Sequence, residues 1–181
     1  VRQTVNARAA FKKKTVHEID VSLLVEPTMS VDDWREYEEG WRLFNERKFW
    51  HAHEAWEAVW KHRPEESRIF FQGIIQLAAA YHLLLVKKRY GGMMRNFEKA
   101  EEKLRLFSSP FLRADVAKLL NAINETRKEI QRIGATHLEQ FDAARIPQIT
   151  LTTSASVEQG NQSFRPPPVC RVLRKAFNKV F

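Results

Sequence analysis

The run Phe49-Trp50-His51-Ala52-His53-Glu54-Ala55-Trp56-Glu57-Ala58-Val59-Trp60 sets two imidazoles and two carboxylates among aromatic residues. Such side chains can hold a metal, move a proton or anchor a polar ligand. Spacing decides which of them can act together. At about 100° per residue, His53 and Glu57 fall one helical turn apart, inside the stripe made by Phe49, Trp56 and Trp60. Glu54 falls at the rim of that stripe and His51 on the far side. The His51-x-His53 pair is therefore no chelate on a helix, because i and i+2 side chains point apart. A second run, residues 69–86, offers Gln72 and Gln76 one turn apart, with His82 about a third of a turn round from Gln76. The candidate polar pocket is thus His53, Glu54, Glu57, Gln72, Gln76 and His82, between two helices and walled by Trp50, Trp56 and Trp60.

A histidine and a carboxylate within an apolar stripe are costly unless paired, so a His53–Glu57 hydrogen bond is expected. Three uses fit the cluster. It can be a buried network that fixes helix register. It can be a pocket whose polar anchors take a small molecule. It can be a metal or acid–base site on His53 and Glu57, with Glu54 at the rim. The order His-Glu-x-x-Glu lacks the second histidine of the zinc-protease motif, and no paired Glu-x-x-His sets are present. No metal is therefore assigned, His53 and Glu57 being only weak candidates, and no cofactor or catalytic residue is assigned. A binding or structural module is the first functional expectation, and a small metal-dependent or acid–base hydrolase centred on His53 and Glu57 is the alternative.

These residues need helices to hold them, and the periodicity supplies five. Ser30 and Asp33 form an N-cap pattern before Trp34, Tyr37, Trp41 and Phe44, which recur at helical spacing up to Asn45. A second helix is expected over about 49–62, ended by Pro64. The third, about 66–88, contains an apolar stretch near the shortest membrane span, but two glutamines and a histidine make a bilayer costly. A central helix buried nearly all round explains it better. Met93, Phe97, Ala100, Leu104 and Phe107 stripe a fourth helix after Gly91-Gly92, taken as a turn. Val116, Leu119, Leu120, Ile123 and Ile130 stripe a fifth, with Gly134 as its C-cap. The expected fold class is all-α, a single multihelical bundle.

Gly40-x-x-Leu43-Phe44-Asn45, the motif from Phe49 to Trp60, the run from Phe71 to Ala80 and Gly92-x-x-Arg95-Asn96 together resemble the family called domain of unknown function 309. The resemblance covers residues 34–107 well and extends loosely to Pro147. It implies a small all-helical bundle and carries no established activity. It also places His53, Glu54, Glu57, Gln72 and Gln76 at the family's characteristic polar positions. The leader before Val31 and the tail beyond Ile149 have no counterpart in it.

The chain has 181 residues, a net charge of +8 and one cysteine. That is the length of one domain and the composition of a soluble globular protein. A lone cysteine makes neither an intrachain disulfide nor a Cys-rich zinc site. Residues 1–30 carry +2, residues 31–145 +2 and residues 146–181 +4, so most of the charge lies in the tails and no basic groove crosses the body. The organisation expected is a basic, poorly ordered leader (1–29), a bundle (30–147), a polar and Pro-rich linker (148–168) and a short basic amphipathic helix (169–181). That helix, with Arg171, Arg174, Lys175 and Lys179, suits a partner groove, a membrane surface or nucleic acid, or docks back on its own domain or on a second copy. The leader has no apolar signal run, which points to the cytoplasm while leaving organellar targeting open.

Overall fold

Each helix among the described residues begins from an amphipathic or fully apolar stretch, and the order of those stretches sets the packing. The computed structural model describes residues 16–63 and 65–152. Residues 1–15, Pro64 and 153–181 lie outside it, and with them most of the leader, most of the linker and the basic segment 169–181. Among the described residues there are five α-helices and no β-strand: α1 Val31–Asn45, α2 Phe49–Trp60, α3 Ile69–His82, α4 Tyr90–Leu104 and α5 Val116–Ile133. Consecutive helices pack on one another throughout, as short connections favour.

Helix α1 starts in a complete capping box. The Ser30 hydroxyl accepts from the Asp33 amide, and the Asp33 carboxylate accepts from the Ser30 amide. Helix α5 starts at Asp115, whose side chain accepts from the Lys118 amide, and ends at Gly134 in a positive-φ cap at 85°. Between α1 and α2 the backbones approach so closely that a Cβ at Gly40 would lie 2.1 Å from Trp56 Nε1. The indole lies in the space the glycine leaves and donates to the Tyr37 carbonyl at 3.1 Å.

Helix α3 is the hub. Ile69, Phe70, Phe71, Ile74, Leu77, Ala78, Ala80 and Tyr81 are all sealed from solvent, between α2 on one side and α4 on the other. By length and composition, Glu66–Lys87 would cross a membrane; here it is mostly buried within the bundle. Past His82 the helix widens into a π-helical turn, Leu83–Lys87, and Lys88 closes it in a left-handed conformation. That places the real break before Tyr90. Gly91-Gly92, expected as a turn, is instead the first turn of α4. The physical reason is that Lys88 and Arg89 reverse the chain, leaving the glycines to admit Leu83, whose Cδ1 would stand 3.3 Å from a Cβ at Gly92.

The core also reaches into segments that composition groups with the tails. Val16, Ile19, Leu24 and Met29 pack on it, so residues 16–29 are laid against the bundle. Ile149 is buried as well, and the Asn45 carboxamide brackets it, donating to its carbonyl and accepting from its amide at 2.8 Å each.

Candidate functional site

Helices α2 and α3 meet around a small cavity of about 60 Å³, lined by His53, Glu57, Trp60, Gln72, Ile75 and Gln76. The residues come from one face of each helix because both sets are spaced by a turn: 53, 57 and 60 on α2, and 72, 75 and 76 on α3. Of the positions expected from the sequence, His53, Glu57, Gln72 and Gln76 are brought together here, with Trp60 as a wall. Ile75 joins them unforeseen, although its place between the two glutamines already puts it on their face.

The other expected residues lie elsewhere. Trp56, expected as a wall, faces α1 and is wholly buried against Trp41 and Gly40, because the Gly40 notch draws its indole inward. Glu54 is exposed on the outer side of α2 and does not line the cavity. Trp50 is 47% exposed and is likewise outside the lining. It covers His53 from the solvent side, the two rings stacked 5.0 Å apart and 7° from parallel. The His82 ring also lies against Trp50, 5.5 Å away and tilted by 50°. Burial, with help from the Lys87 charge, lowers the His82 pKa below its ordinary value and favours the neutral ring. His82 is thus part of an aromatic ledge beside the cavity and is not one of its anchors.

The polar atoms of the lining set its chemistry. Trp60 is 8% exposed and Gln72 6%, yet neither the Trp60 indole Nε1 nor the Gln72 Nε2 donates to any protein acceptor. Gln76 Oε1 is buried and accepts from no protein donor. Nearly all buried polar groups in folded proteins find a partner, and these two donors and one acceptor find none within the protein. Glu57 adds a carboxylate at the mouth, 36% exposed and 3.6 Å from Lys61 Nζ. A volume of about 60 Å³ is enough to hold water-sized groups.

The metal and acid–base reading would need more ligands than this. Among the described residues no three His, Cys, Asp or Glu side chains gather as a metal-holding group. His53 and Glu57 remain the two titratable residues of the cavity, without a third beside them.

A second polar cluster was not foreseen. Asp33, at the start of α1, accepts from His62 Nε2 at 2.7 Å through one oxygen and from Ser30 and Arg63 through the other. Arg63 also donates to the Thr28 carbonyl at 2.7 Å, and Asp33 and Arg63 are both buried. Burial opposes the charged carboxylate, but the hydrogen bonds from His62 and Ser30 and the Arg63 charge outweigh it and hold the Asp33 pKa at about 2. Arg68 carries the contact onward, its guanidinium 5.5 Å over the Trp60 ring and bonded to the Arg63 carbonyl. The only sequence signal was the Ser30–Asp33 capping box; nothing in local spacing links position 33 to 62 and 63.

Residues 37–96 match the model of a family described as Domain of unknown function (DUF309), a span that contains α2, α3 and every residue of the cavity lining. No curated protein matches the chain.

Proposed function

Starting from the DUF309 domain at residues 37–96, we propose that the chain is a binding module whose α2–α3 cavity takes the polar head of a small molecule, an amide-like group that donates on one side and accepts on the other. The observation that carries this reading is the convergence of unpartnered buried atoms: two donors, Trp60 Nε1 and Gln72 Nε2, and one acceptor, Gln76 Oε1, around about 60 Å³. The oxygen of a primary amide satisfies the donors, while its nitrogen satisfies Gln76 and the Glu57 carboxylate. The rest of such a molecule leaves past Glu57, whose side chain is 36% exposed.

Titration with acetamide, followed by the indole and side-chain amide signals in nitrogen-15 NMR spectra, tests the reading. A saturable shift of the Trp60 indole N–H and of the Gln72 amide is expected, and Gln76→Leu should abolish it while leaving the remaining spectrum in place. Absence of saturable shifts with acetamide, urea and acetate alike, together with two fixed waters in a crystal structure, would make the cavity a hydrated structural void.

A further inference from the structure

The outer face of α1 carries an open groove of about 700 Å³ lined by Val31, Trp34, Arg35, Glu36, Glu38 and Glu39. Its floor is apolar: Val31 is 83% exposed, and the Trp34 ring is only partly covered. Its edge carries three carboxylates, Glu36, Glu38 and Glu39, and the Arg35 guanidinium, which pairs with Asp32. Glu38 and Glu39 are paired, with Arg113 and Arg42, whereas Glu36 has no ion pair among the described residues. An exposed aliphatic residue beside a tryptophan, bordered by carboxylates, suits a basic amphipathic segment.

The chain leads such a segment toward this place. Arg113, in a left-handed conformation at φ 63°, grips Thr152, the last residue described. Its carbonyl accepts from the Thr152 amide at 2.8 Å and from the Thr152 hydroxyl at 3.2 Å, and its Nε donates to the Thr152 carbonyl at 2.8 Å. The same guanidinium lies 5.3 Å over the Trp34 ring and 2.7 Å from Glu38. One side chain thus joins the groove to the point where the tail begins. Residues 169–181 carry Val169, Val172, Leu173, Ala176, Phe177 and Val180 at helical spacing, together with Arg171, Arg174, Lys175 and Lys179 and no acid. The residues between, 153–168, can span at most roughly 55 Å, enough to reach any part of the groove, and a tether of that kind gives an effective concentration on the order of millimolar.

We infer that residues 169–181 dock in cis on α1, their apolar stripe on Val31 and Trp34 and their cations against Glu36, Glu38 and Glu39. The docked tail supplies a cation to Glu36, the one groove carboxylate without an ion pair among the described residues, and covers the exposed valine.

Cys170 is the only cysteine in the chain and reports on this directly. In the full chain, V31C and E39C place a second thiol at either end of the groove, and K128C places one on the exposed side of α5 as a reference. With oxidised glutathione as oxidant, V31C or E39C should close an intramolecular disulfide to Cys170 about tenfold faster than K128C, as a higher local concentration requires. Adding R171E, R174E, K175E and K179E together should bring that rate down to the reference. Equal rates at the three positions, or closure indifferent to the charge reversal, would overturn the inference. Covalent dimers in place of internal closure would assign the groove to a second copy. Equal rates combined with binding of the full chain to phosphatidylserine vesicles would assign the tail to a membrane surface.

Discussion

Two buried polar clusters in this bundle are handled in opposite ways. Around Asp33, both carboxylate oxygens are engaged, by His62 on one side and by Ser30 and Arg63 on the other. Arg63 bonds through both terminal nitrogens, and only its Nε lacks an acceptor. The cluster ties the start of α1 to the end of α2. Around the α2–α3 cavity, Trp60, Gln72 and Gln76 each leave a buried polar atom without a protein partner. Here there is space, and it is lined by a carboxylate and an imidazole as well. The contrast separates polar groups satisfied by the protein from polar groups it leaves unpartnered, a distinction residue type alone does not make. The clusters are also neighbours through Arg68, which bonds the Arg63 carbonyl and lies over Trp60.

The sharpest way to break the contrast is to remove Asp33. Asp33→Ala removes the shared acceptor of His62, Ser30 and Arg63 and, among the described residues, leaves the buried Arg63 with only Glu65 as counter-charge, 3.4 Å from its Nη1. It should cost about 3 kcal/mol of stability in urea unfolding. A loss below about 1 kcal/mol would place the Asp33 cluster with ordinary surface pairs and erase the distinction. A smaller effect should appear on acidification. The Asp33 carboxyl is held at about 2, below its ordinary 3.8, so its contribution is fully present above the ordinary value. It is lost as pH falls through the folded-state value, when the folded protein too takes up the proton. The amount is on the order of 2 kcal/mol, and Asp33→Asn should flatten that part of the stability profile.

What local spacing can reveal explains which of these features were legible. Helix α1, its Ser30 cap and the Gly134 stop rest on neighbours within a turn, and each is in place. So is the facing of His53, Glu57, Gln72 and Gln76, since a shared helix face needs only i, i+4 periodicity. Trp56 was misplaced because helical angle alone puts it close to Trp60. The deciding fact is the notch at Gly40, on a different helix. The Asp33–Arg63 pair spans 30 positions, with no periodic signal joining its ends. The break before α4 follows from a widened turn at Leu83–Lys87, a backbone event with no compositional mark, which made Gly91-Gly92 the more conspicuous place for a turn.

The smallest expected effect tests the other half of the contrast. If the Gln72 carboxamide serves a ligand and not the fold, removing it should not weaken the fold. Gln72→Leu keeps the length and much of the shape of the side chain and deletes a donor that no protein acceptor satisfies. Taking away an unsatisfied buried group removes a desolvation cost and leaves no partner stranded, so the change should lie within about 1 kcal/mol of zero, on the stabilising side. The exchange is the converse of Asp33→Ala, which deletes one member of a satisfied set. Both positions are buried, at 6% and 8% exposure, so a difference between them cannot come from burial. Should Gln72→Leu cost as much as Asp33→Ala, the glutamine would be holding ordered water that knits α2 to α3, and the cavity would belong to the scaffold. A neutral or stabilising result leaves the carboxamide with no structural task, which is what a side chain retained for binding would display.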